Sequence, residues 1–377
     1  MDIKKITKYR KELHKIAELG TNEVLTSEFI ADKLALTNPN EIIRNIGQTG
    51  IAAVYGDKYK TTIMLRCELD ALPIQEEISA EYKSLNSEVS HKCGHDGHMS
   101  IMLGVAEQLK DLDLKDCRVI LLFQPDEETG NGALSVLNDK KFESIKPDYI
   151  YALHNLPGYE KNEILCKPDV FAYSSKGIKI KLKGKTSHAG EPQNAINPKN
   201  AMIQIANIID DLLSLEVNFK GDTFGTTILM RLGSEAFGTT PGEAEVMGTL
   251  RAEFDNDLEL ACFKLEEKIK HISRQRKLEF SFSWNDIFSS TINNEKCFDI
   301  IKKSAFENRY NFTKIKTPFK WTEDFGYFTQ KTSGALFGLG AGKNQSPLHN
   351  PKYDYPDDIT EAGIKMFLSI IKKTMEI

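Results

Sequence analysis

Short apolar segments alternate with amphipathic and polar segments over the first half of the chain. The apolar segments have the length of single strands, and they lie at 50–56, 61–74, 118–123 and 148–153. Between the second and the third, apolar side chains recur at helical spacing at Met99, Met102, Leu103, Ala106 and Leu109. This order of strand, polar loop, helix and strand is typical of an α/β sheet, in which functional side chains collect beyond the carboxyl ends of the strands.

Both ends of the chain carry patterns that extend this sheet domain. An apolar stripe at 13–17 predicts a first helix with Gly20 as its C-cap, and Thr26 or Ser27 is the predicted N-cap of the next helix. From about residue 287 the same rhythm returns, with a late strand in the sequence ALFGLGAG and a final amphipathic helix.

The pattern differs between residues 173 and 286. The sequence SSKGIKIKLKGKTSH alternates apolar and polar residues with period two, which is typical of a half-exposed antiparallel strand. Helical and strand patterns follow in the order of a β-α-β-β-α-β unit. We therefore predict an α/β fold whose mixed-sheet domain comprises 1–172 plus 287–377, with an inserted α+β domain of ferredoxin-like type at 173–286.

Composition and charge narrow the functional class. The chain has 377 residues, of which 40% are hydrophobic and 27% charged, and its formal net charge is -5, so neither nucleic acid nor a membrane surface is an expected partner. The apolar runs are too short to span a bilayer, and the N-terminal sequence is charged and lacks the apolar core of a signal peptide. The six cysteines are scattered without CxxC spacing, which favours a reducing, cytoplasmic location.

The sequence HKCGHDGH at 91–98 contains three of the eight histidines. Such a segment can be a solvated loop, and its cysteine can be a small buried apolar residue. Thiolate, imidazole and carboxylate are also the side chains that bind transition metals, and Cys93 and His95 are two positions apart, so one loop can direct both at a single centre. The choice between these interpretations depends on whether other loops supply further ligands.

Other predicted loops carry side chains of the same kinds. Glu127 and Glu128 directly follow an apolar strand, His154 ends another, and His349 lies in a loop flanked by prolines. Each of these is ordinary by itself, since exposed glutamate pairs and loop histidines are common. Taken with Cys93 and His95, they would provide ligands for two metal ions, with one glutamate left as a general base for hydrolysis.

The chain also resembles a known family over nearly its whole length. The segments that carry the resemblance are RCELDALPIQEE, HKCGHDGHMSIMLGVA, VILLFQPDEETGNGA, LHNLPG, GKTSHAGEPQNAINP, GTLRAEFD, TEDFGYF and the GLGAG and LHNPKYD sequences. They resemble the dinuclear metallo-amidohydrolases and metallopeptidases related to aminoacylases and carboxypeptidases. Within that family the chain is most similar to the branch of IAA-amino acid hydrolases, hippurate hydrolases and N-acetyldiaminopimelate deacetylases.

The resemblance implies a zinc-peptidase-like catalytic domain with two divalent metal ions, which could be Mn, Zn, Co or Ni. The ligands that it implies are Cys93, His95, Glu128, His154 and His349. Glu127 would be the general base that activates a metal-bound water, and Asp70 would be the carboxylate that orients a ligand.

The inserted unit would be the lid and dimerisation domain of this family, which implies a homodimer. His188, in KTSHAG, would reach a neighbouring active site and stabilise the oxyanion of the tetrahedral intermediate. Arg251, in GTLRAEF, matches an arginine that would bind a substrate carboxylate. The alternative interpretations are that His188 is a turn residue beside Gly190 and that Arg251 is a surface arginine on an edge strand.

Three segments of the chain depart from the pattern of the family. Glu68 stands where the family usually has the shorter aspartate. Gly238 and Thr239 stand where an asparagine amide usually contacts substrate, and Trp321 and Thr322 replace small glycines beside the pocket. We expect these changes to alter substrate recognition.

The function expected from these features is hydrolysis of the amide bond of an N-acyl amino acid, with Glu127 carrying the proton. One alternative is a dipeptidase or carboxypeptidase that uses the same dinuclear site on a dipeptide. A more remote alternative is a catalytically silent metal-binding interaction protein with this fold.

Overall fold

The computed structural model describes residues 1–57, 59–114 and 116–376 of the chain. The chain forms two compact units. The first comprises Met1–Phe171, Thr291–Pro318 and the chain from Glu323 onward, and the second comprises Ala172–Ser290 and Phe319–Thr322. The sequence pattern predicts no role for 319–322 in the second unit. This segment belongs there because the Phe319 carbonyl accepts a hydrogen bond from the Tyr173 N–H, 3.0 Å away.

The helices of the described residues are numbered in chain order. They are α1 (Ile3–Lys15), α2 (Val24–Ala35), α3 (His95–Leu109), α4 (Gly132–Leu137), α5 (Phe142–Ile145), α6 (Lys199–Asp210), α7 (Asp255–Gln275), α8 (Glu295–Glu307), α9 (Gly326–Thr329) and α10 (Thr360–Thr374).

The strands are numbered in the same way. They are β1 (Glu41–Ile46), β2 (Gly50–Tyr55), β3 (Thr61–Glu68), β4 (Cys117–Gln124), β5 (Tyr149–Pro157), β6 (Ile164–Cys166), β7 (Asp169–Ala172), β8 (Ser174–Lys183), β9 (Ser187–His188), β10 (Thr223–Leu232), β11 (Thr239–Thr240), β12 (Glu243–Ala252), β13 (Glu279–Phe288), β14 (Thr291–Asn293), β15 (Phe312–Lys314) and β16 (Ser333–Gly342).

The first unit is built on an eight-stranded mixed sheet with the order β1-β2-β4-β3-β5-β16-β6-β15. Its central strands β4, β3, β5 and β16 are mutually parallel, so their carboxyl ends lie along one edge. These strands are buried on both faces, which explains their continuous apolar sequences. Helices α1, α3 and α10 contribute Leu13, Met102 and Phe367 to the core on the sheet. The predicted mixed α/β fold is confirmed.

The second unit contains a four-stranded antiparallel sheet with the order β10-β12-β8-β13. Strand β12 alternates exposed or half-buried with buried residues, as expected when one face of a sheet is covered. The covered face packs Ile180 and Val246 in one core with Ile205 of α6 and Leu265 of α7. Each unit therefore has a hydrophobic core of its own.

None of the described helices combines the length and the apolar character that crossing a bilayer requires.

Candidate metal centre

The predicted ligands converge at the carboxyl edge of the large sheet. Glu128 lies in the loop after β4, His154 is in β5, and His349 lies in the segment between β16 and α10. Cys93 and His95 flank the start of α3, where Gly94 adopts the left-handed backbone conformation at φ 95°. This turn needs glycine, because a Cβ on Gly94 would lie 2.0 Å from Asn155 Oδ1.

The distances define one cluster of donor atoms. Cys93 Sγ lies 3.4 Å from His154 Nε2, and Glu128 Oε2 lies 3.7 Å from His349 Nε2. His95 Nε2 is 3.9 Å from Glu128 Oε1. The donor atoms of Cys93, His95 and His154 lie within 4.8 Å of one another, and so do those of Cys93, Glu128 and His349. The structure thus brings together the five side chains that were predicted as metal ligands.

Two donor atoms show that the cluster fits a metal. His95 Nε2 and Glu128 Oε1 are buried, and neither has a hydrogen-bond partner among the described residues. A buried polar atom without a partner is costly unless a ligand or an ion satisfies it. The mixed thiolate, imidazole and carboxylate set matches the ligand preferences of first-row transition metals.

Burial and neighbouring charges set the protonation of the predicted ligands. Burial, aided by the neighbouring His98 ring, lowers the pKa of His154 to about 3, so its ring is neutral. Burial, with a contribution from Asp70, raises the pKa of Glu128 to about 7 against the opposing effect of His95. Burial and nearby glutamates raise the pKa of the Cys93 thiol well above its usual value, so a bound cation would be needed to hold the thiolate.

Asp70 contacts two of the ligand-bearing positions. His95 Nδ1–H donates to the Asp70 carbonyl at 2.9 Å, and Asp70 Oδ1 lies 3.3 Å from the same nitrogen. Asp70 Oδ2 accepts from the Glu128 N–H at 2.9 Å. These contacts fix the tautomer of His95 and direct its Nε2 toward the other donors.

Glu127 lies beside this cluster but makes different contacts. Its Oε1 accepts from the Asp324 N–H at 3.3 Å, while its Oε2 is 3.9 Å from His95 Nε2. Burial and the charges of Glu323, Glu128 and Asp324 raise its pKa well above the usual range. A buried carboxyl with a raised pKa is suited to accepting and returning a proton.

The remaining predicted site residues lie in the second unit. His188 is exposed in β9 and pairs with Thr239 of β11. Arg251 lies in β12, where its Nη1 donates to the Lys320 carbonyl at 2.9 Å. Trp321 stacks on Phe319 with ring centroids 5.0 Å apart. The roles of His188 and Arg251 in a reaction stay predictions.

Comparison with known proteins identifies the family. The model of one protein family matches residues 64–373, a range that includes the whole ligand set. The chain belongs to Peptidase family M20/M25/M40. Together with the hydrolase relatives described next, this makes it a metal-dependent amidohydrolase.

Relatives within this family are similar over almost their full length. A hippurate hydrolase of Campylobacter jejuni is 28% identical over 373 residues, which cover 98% of this chain and 96% of the relative. An N-acetyldiaminopimelate deacetylase of Exiguobacterium sibiricum is 30% identical over 355 residues, with 93% of each chain covered. The resemblance stated from the motifs is confirmed.

Solved structures show the same family fold. A putative aminohydrolase from methicillin-resistant Staphylococcus aureus superposes with a TM-score of 0.87 at 22% identity, and covers 99% of this chain and 97% of its own. A dinuclear metal-binding family peptidase of Bacillus subtilis superposes with a TM-score of 0.83 at 22% identity, with 99% and 98% coverage. The architecture is therefore that of this peptidase family.

The sequence did not predict a buried polar network that lies beside the cluster of predicted metal ligands. Arg66 in β3 contacts Glu68 through Nη1, and its Nη2 lies 2.6 Å from Asp324 Oδ1 and 3.0 Å from Glu323 Oε1. Because Asp324 also binds Glu127, this guanidinium supports the loop that holds the candidate base. The two adjacent acids in the sequence TEDF were the only sign of this network. They lie nearly 200 residues from Glu127, so the sequence did not show that they contact it.

A second polar network lies behind the HKCGHDGH loop and includes Asp96, the aspartate of that sequence. Its carboxylate accepts from His14 Nδ1 at 2.8 Å and faces Arg10, so it is already paired with cations. Lys92 donates through Nζ to the Tyr353 carbonyl, and its own carbonyl accepts from the His349 N–H at 2.8 Å. These contacts join the Cys93 loop to the segment that carries His349.

Proposed function

We propose that this amidohydrolase cleaves the amide bond of N-acyl amino acids and releases the free amino acid. The observation that carries the proposal is that two adjacent carboxylates make different contacts. Glu128 faces His349 and the other ligands, while Glu127 is held by a backbone N–H of the 323–324 loop. The names of the relatives support this substrate class, since hippurate and N-acetyldiaminopimelate are both N-acylated amino acids.

Two divalent ions, Mn, Zn, Co or Ni, would be held by the set Cys93, His95, Glu128, His154 and His349. When bound, such ions polarise the scissile carbonyl and lower the pKa of the attacking water. Neutral His154 supplies a lone pair, and Asp70 holds His95 with Nε2 directed at the cluster.

Glu127 carries the proton in the proposed reaction. It takes a proton from the attacking water and gives the proton to the leaving amine when the C–N bond breaks. The Asp324 N–H holds Oε1, so Oε2 is the oxygen that faces the reacting groups. The buried carboxylates around Glu127 favour its protonated form after the first step.

The second unit acts as a lid and dimerisation domain in this proposal. His188 stabilises the oxyanion, and Arg251 binds the substrate carboxylate. The protein is a homodimer that works in the cytoplasm, a location that fits six buried cysteines with no disulfide among them. A solution mass of twice the chain mass would support the dimer, and the mass of a single chain would contradict it.

Amide hydrolysis by metal-stripped protein tests the function. The panel contains N-acetyl, N-benzoyl and indole-acyl amino acids and free dipeptides, with and without added Mn²⁺ or Zn²⁺. We expect metal-restored release of free amino acid, with kcat lowered roughly 10²- to 10⁴-fold by Glu127→Gln. Glu41→Gln, at an exposed position on β1, is the matched control and should retain full activity.

The same panel separates the alternatives. Faster cleavage of free dipeptides than of N-acyl amino acids would identify a dipeptidase. No turnover on any amide with metal fully loaded would indicate a silent metal-binding protein. Activity that survives both metal stripping and Glu127→Gln would place catalysis elsewhere.

A further inference from the structure

His98 is close to the metal cluster without being available as a ligand. It forms a group with Glu68 and His95 whose donor atoms lie within 4.8 Å of one another, which by proximity alone would be a further candidate ion site. Both ring nitrogens, however, have partners. Nδ1 lies 2.6 Å from Glu68 Oε2, and Nε2 accepts from the Asn155 N–H at 3.2 Å.

These partners fix the proton on the His98 ring. A backbone N–H can only donate, so Nε2 must be the unprotonated nitrogen, and Nδ1 carries the proton that is donated to Glu68. Glu68 is fully buried and is itself held by the Arg66 guanidinium. A ring with both nitrogens engaged in this way has no lone pair left for a metal.

The contact to Asn155 lies at a gap in the sheet. Strand β3 pairs with β5 from Ile63 opposite Tyr149 to Arg66 opposite Ala152, and no pair between them follows in the described ladder. His98 Nε2 receives the Asn155 N–H three residues beyond that last pair. The histidine therefore continues the hydrogen bonding of β5 where the neighbouring strand stops.

Asn155 connects this hydrogen bond to two ligands. It directly follows His154, and its side-chain Nδ2 donates to the Cys93 carbonyl at 3.1 Å. Cys93 Sγ and His154 Nε2 are themselves 3.4 Å apart. A shift of the Asn155 backbone would move both donors.

We propose that His98, set in one tautomer by Glu68, is a positioning residue that holds the Cys93 and His154 donors in register through the backbone of Asn155. The proposal rests on the metal centre of the proposed function, but it concerns the affinity of the site and not the reaction. It also gives a role to Glu68, whose carboxylate reaches the ring at 2.6 Å.

Two substitutions divide the two contacts of the ring. In His98→Gln the amide oxygen can occupy the place of Nε2 and still accept from Asn155, whereas the contact to Glu68 is lost. In His98→Asn the amide can still donate to Glu68 from the place of Nδ1, but it is too short to reach Asn155. His91→Asn, at a buried histidine of the same loop, is the matched control.

Metal affinity is measured on stripped protein by competition with a chromophoric chelator, using Zn²⁺ and Co²⁺. The thiolate-to-Co²⁺ absorption band reports Cys93 directly, and heat unfolding of the metal-free variants reports general damage. We expect His98→Asn to weaken the affinity roughly 10- to 100-fold and to alter the Co²⁺ band. His98→Gln should stay within a few-fold of the unsubstituted protein, and His91→Asn should do the same.

Three results would overturn the proposal. A fall in metal stoichiometry in both His98 variants would make His98 a ligand. Equal losses in His98→Asn and His91→Asn would show a general effect of the loop. Equal losses of metal affinity in both His98 variants, with matching falls in unfolding temperature, would show that His98 acts only through packing. Failure of the proposed reaction would appear separately, in the amide assay of the unsubstituted chain, since the metal titration needs no turnover.

Discussion

At the scale of single residues, Glu127 and Glu128 are adjacent, but their substitution should have different effects. Glu128 lies near both His95 and His349, so Glu128→Gln should lower the amount of metal bound to stripped and reloaded protein. Glu127→Gln should retain the metal and lose turnover. Metal content after gel filtration, measured beside kcat, checks this. Equal metal loss in both variants would make Glu127 a ligand as well.

His14 predicts a pH dependence of stability. It is fully buried, and although burial opposes its charge, hydrogen bonds to Asp96 and Glu76 raise its pKa to about 9. The unfolded value is about 6.5, so folding favours the protonated ring. Its contribution, on the order of 3 kcal/mol, is complete below about pH 6.5 and is lost as the pH rises through 9.

Urea unfolding of metal-free protein between pH 6 and 10 measures this contribution. The stability difference between the unsubstituted chain and His14→Gln should be largest at pH 6 and should shrink toward pH 10. His271→Gln, at an exposed position on α7, is the control for loss of a histidine from the surface. A difference that does not vary with pH would mean that His14 is neutral in the folded protein.

At the scale of elements, local patterns predicted which segments are helices better than where the helices begin. The second helix begins at Val24 with Glu23 as its N-cap, so the predicted N-cap at Thr26 or Ser27 is wrong. The Glu18 carboxylate accepts from the N–H groups of Leu25 and Thr26, so a side chain outside the helix performs the capping. A local pattern read along the helix does not show such a partner.

The predicted C-cap at Gly20 is wrong for a different reason. Helix α1 ends at Lys15, so Gly20 is not its C-cap. A Cβ at Gly20 would lie 2.0 Å from Asp126 Oδ1, which is more than a hundred residues away in sequence. The glycine is required by a tertiary contact, which the sequence pattern alone does not reveal.

The start of α3 gives a prediction about a glycine that is required for two reasons. Gly94 has φ 95°, and a Cβ there would also strike the Asn155 side chain, whereas Gly158 has φ 89° with nothing within 4 Å of its Cβ position. Gly158→Ala should therefore cost only the backbone strain, about 1 kcal/mol. Gly94→Ala should cost roughly 2–5 kcal/mol and weaken metal binding, because the clash adds to the strain.

Urea unfolding of both variants without metal, followed by metal titration, separates strain from clash. The Gly158 variant serves as the control for the left-handed conformation alone. Equal costs in the two variants, with unchanged metal affinity, would show that the Asn155 side chain moves aside freely.

At the scale of the whole molecule, the sequence allowed a ligand set to be predicted because Glu128 follows an apolar strand, His154 ends another, and Cys93 and His95 precede an amphipathic helix. The parallel strands then had to bring those ends together, which is a general property of α/β sheets. Glu323, Asp324 and the contact between His98 and Asn155 were not predictable, since their importance lies in which distant groups they touch.

The separate cores of the two units predict a split response to metal. Both tryptophans of the chain, Trp284 and Trp321, belong to the second unit, whereas all five predicted metal ligands belong to the first. Binding stabilises only the folded unit that holds the ion, by about 2.7 kcal/mol at a free metal concentration of 100 Kd. Metal should therefore raise the unfolding temperature of one calorimetric transition and leave unchanged the unfolding temperature measured by tryptophan fluorescence.

Calorimetry and fluorescence on the same metal-free and reloaded samples make this comparison. Trp284 donates to Glu266 within the second unit, so its emission follows that unit. Two calorimetric transitions, of which metal moves only one, would show that the cores in the two units unfold independently. A parallel shift in both probes would instead show that the four chain crossings at 171/172, 290/291, 318/319 and 322/323 couple the units into one cooperative structure.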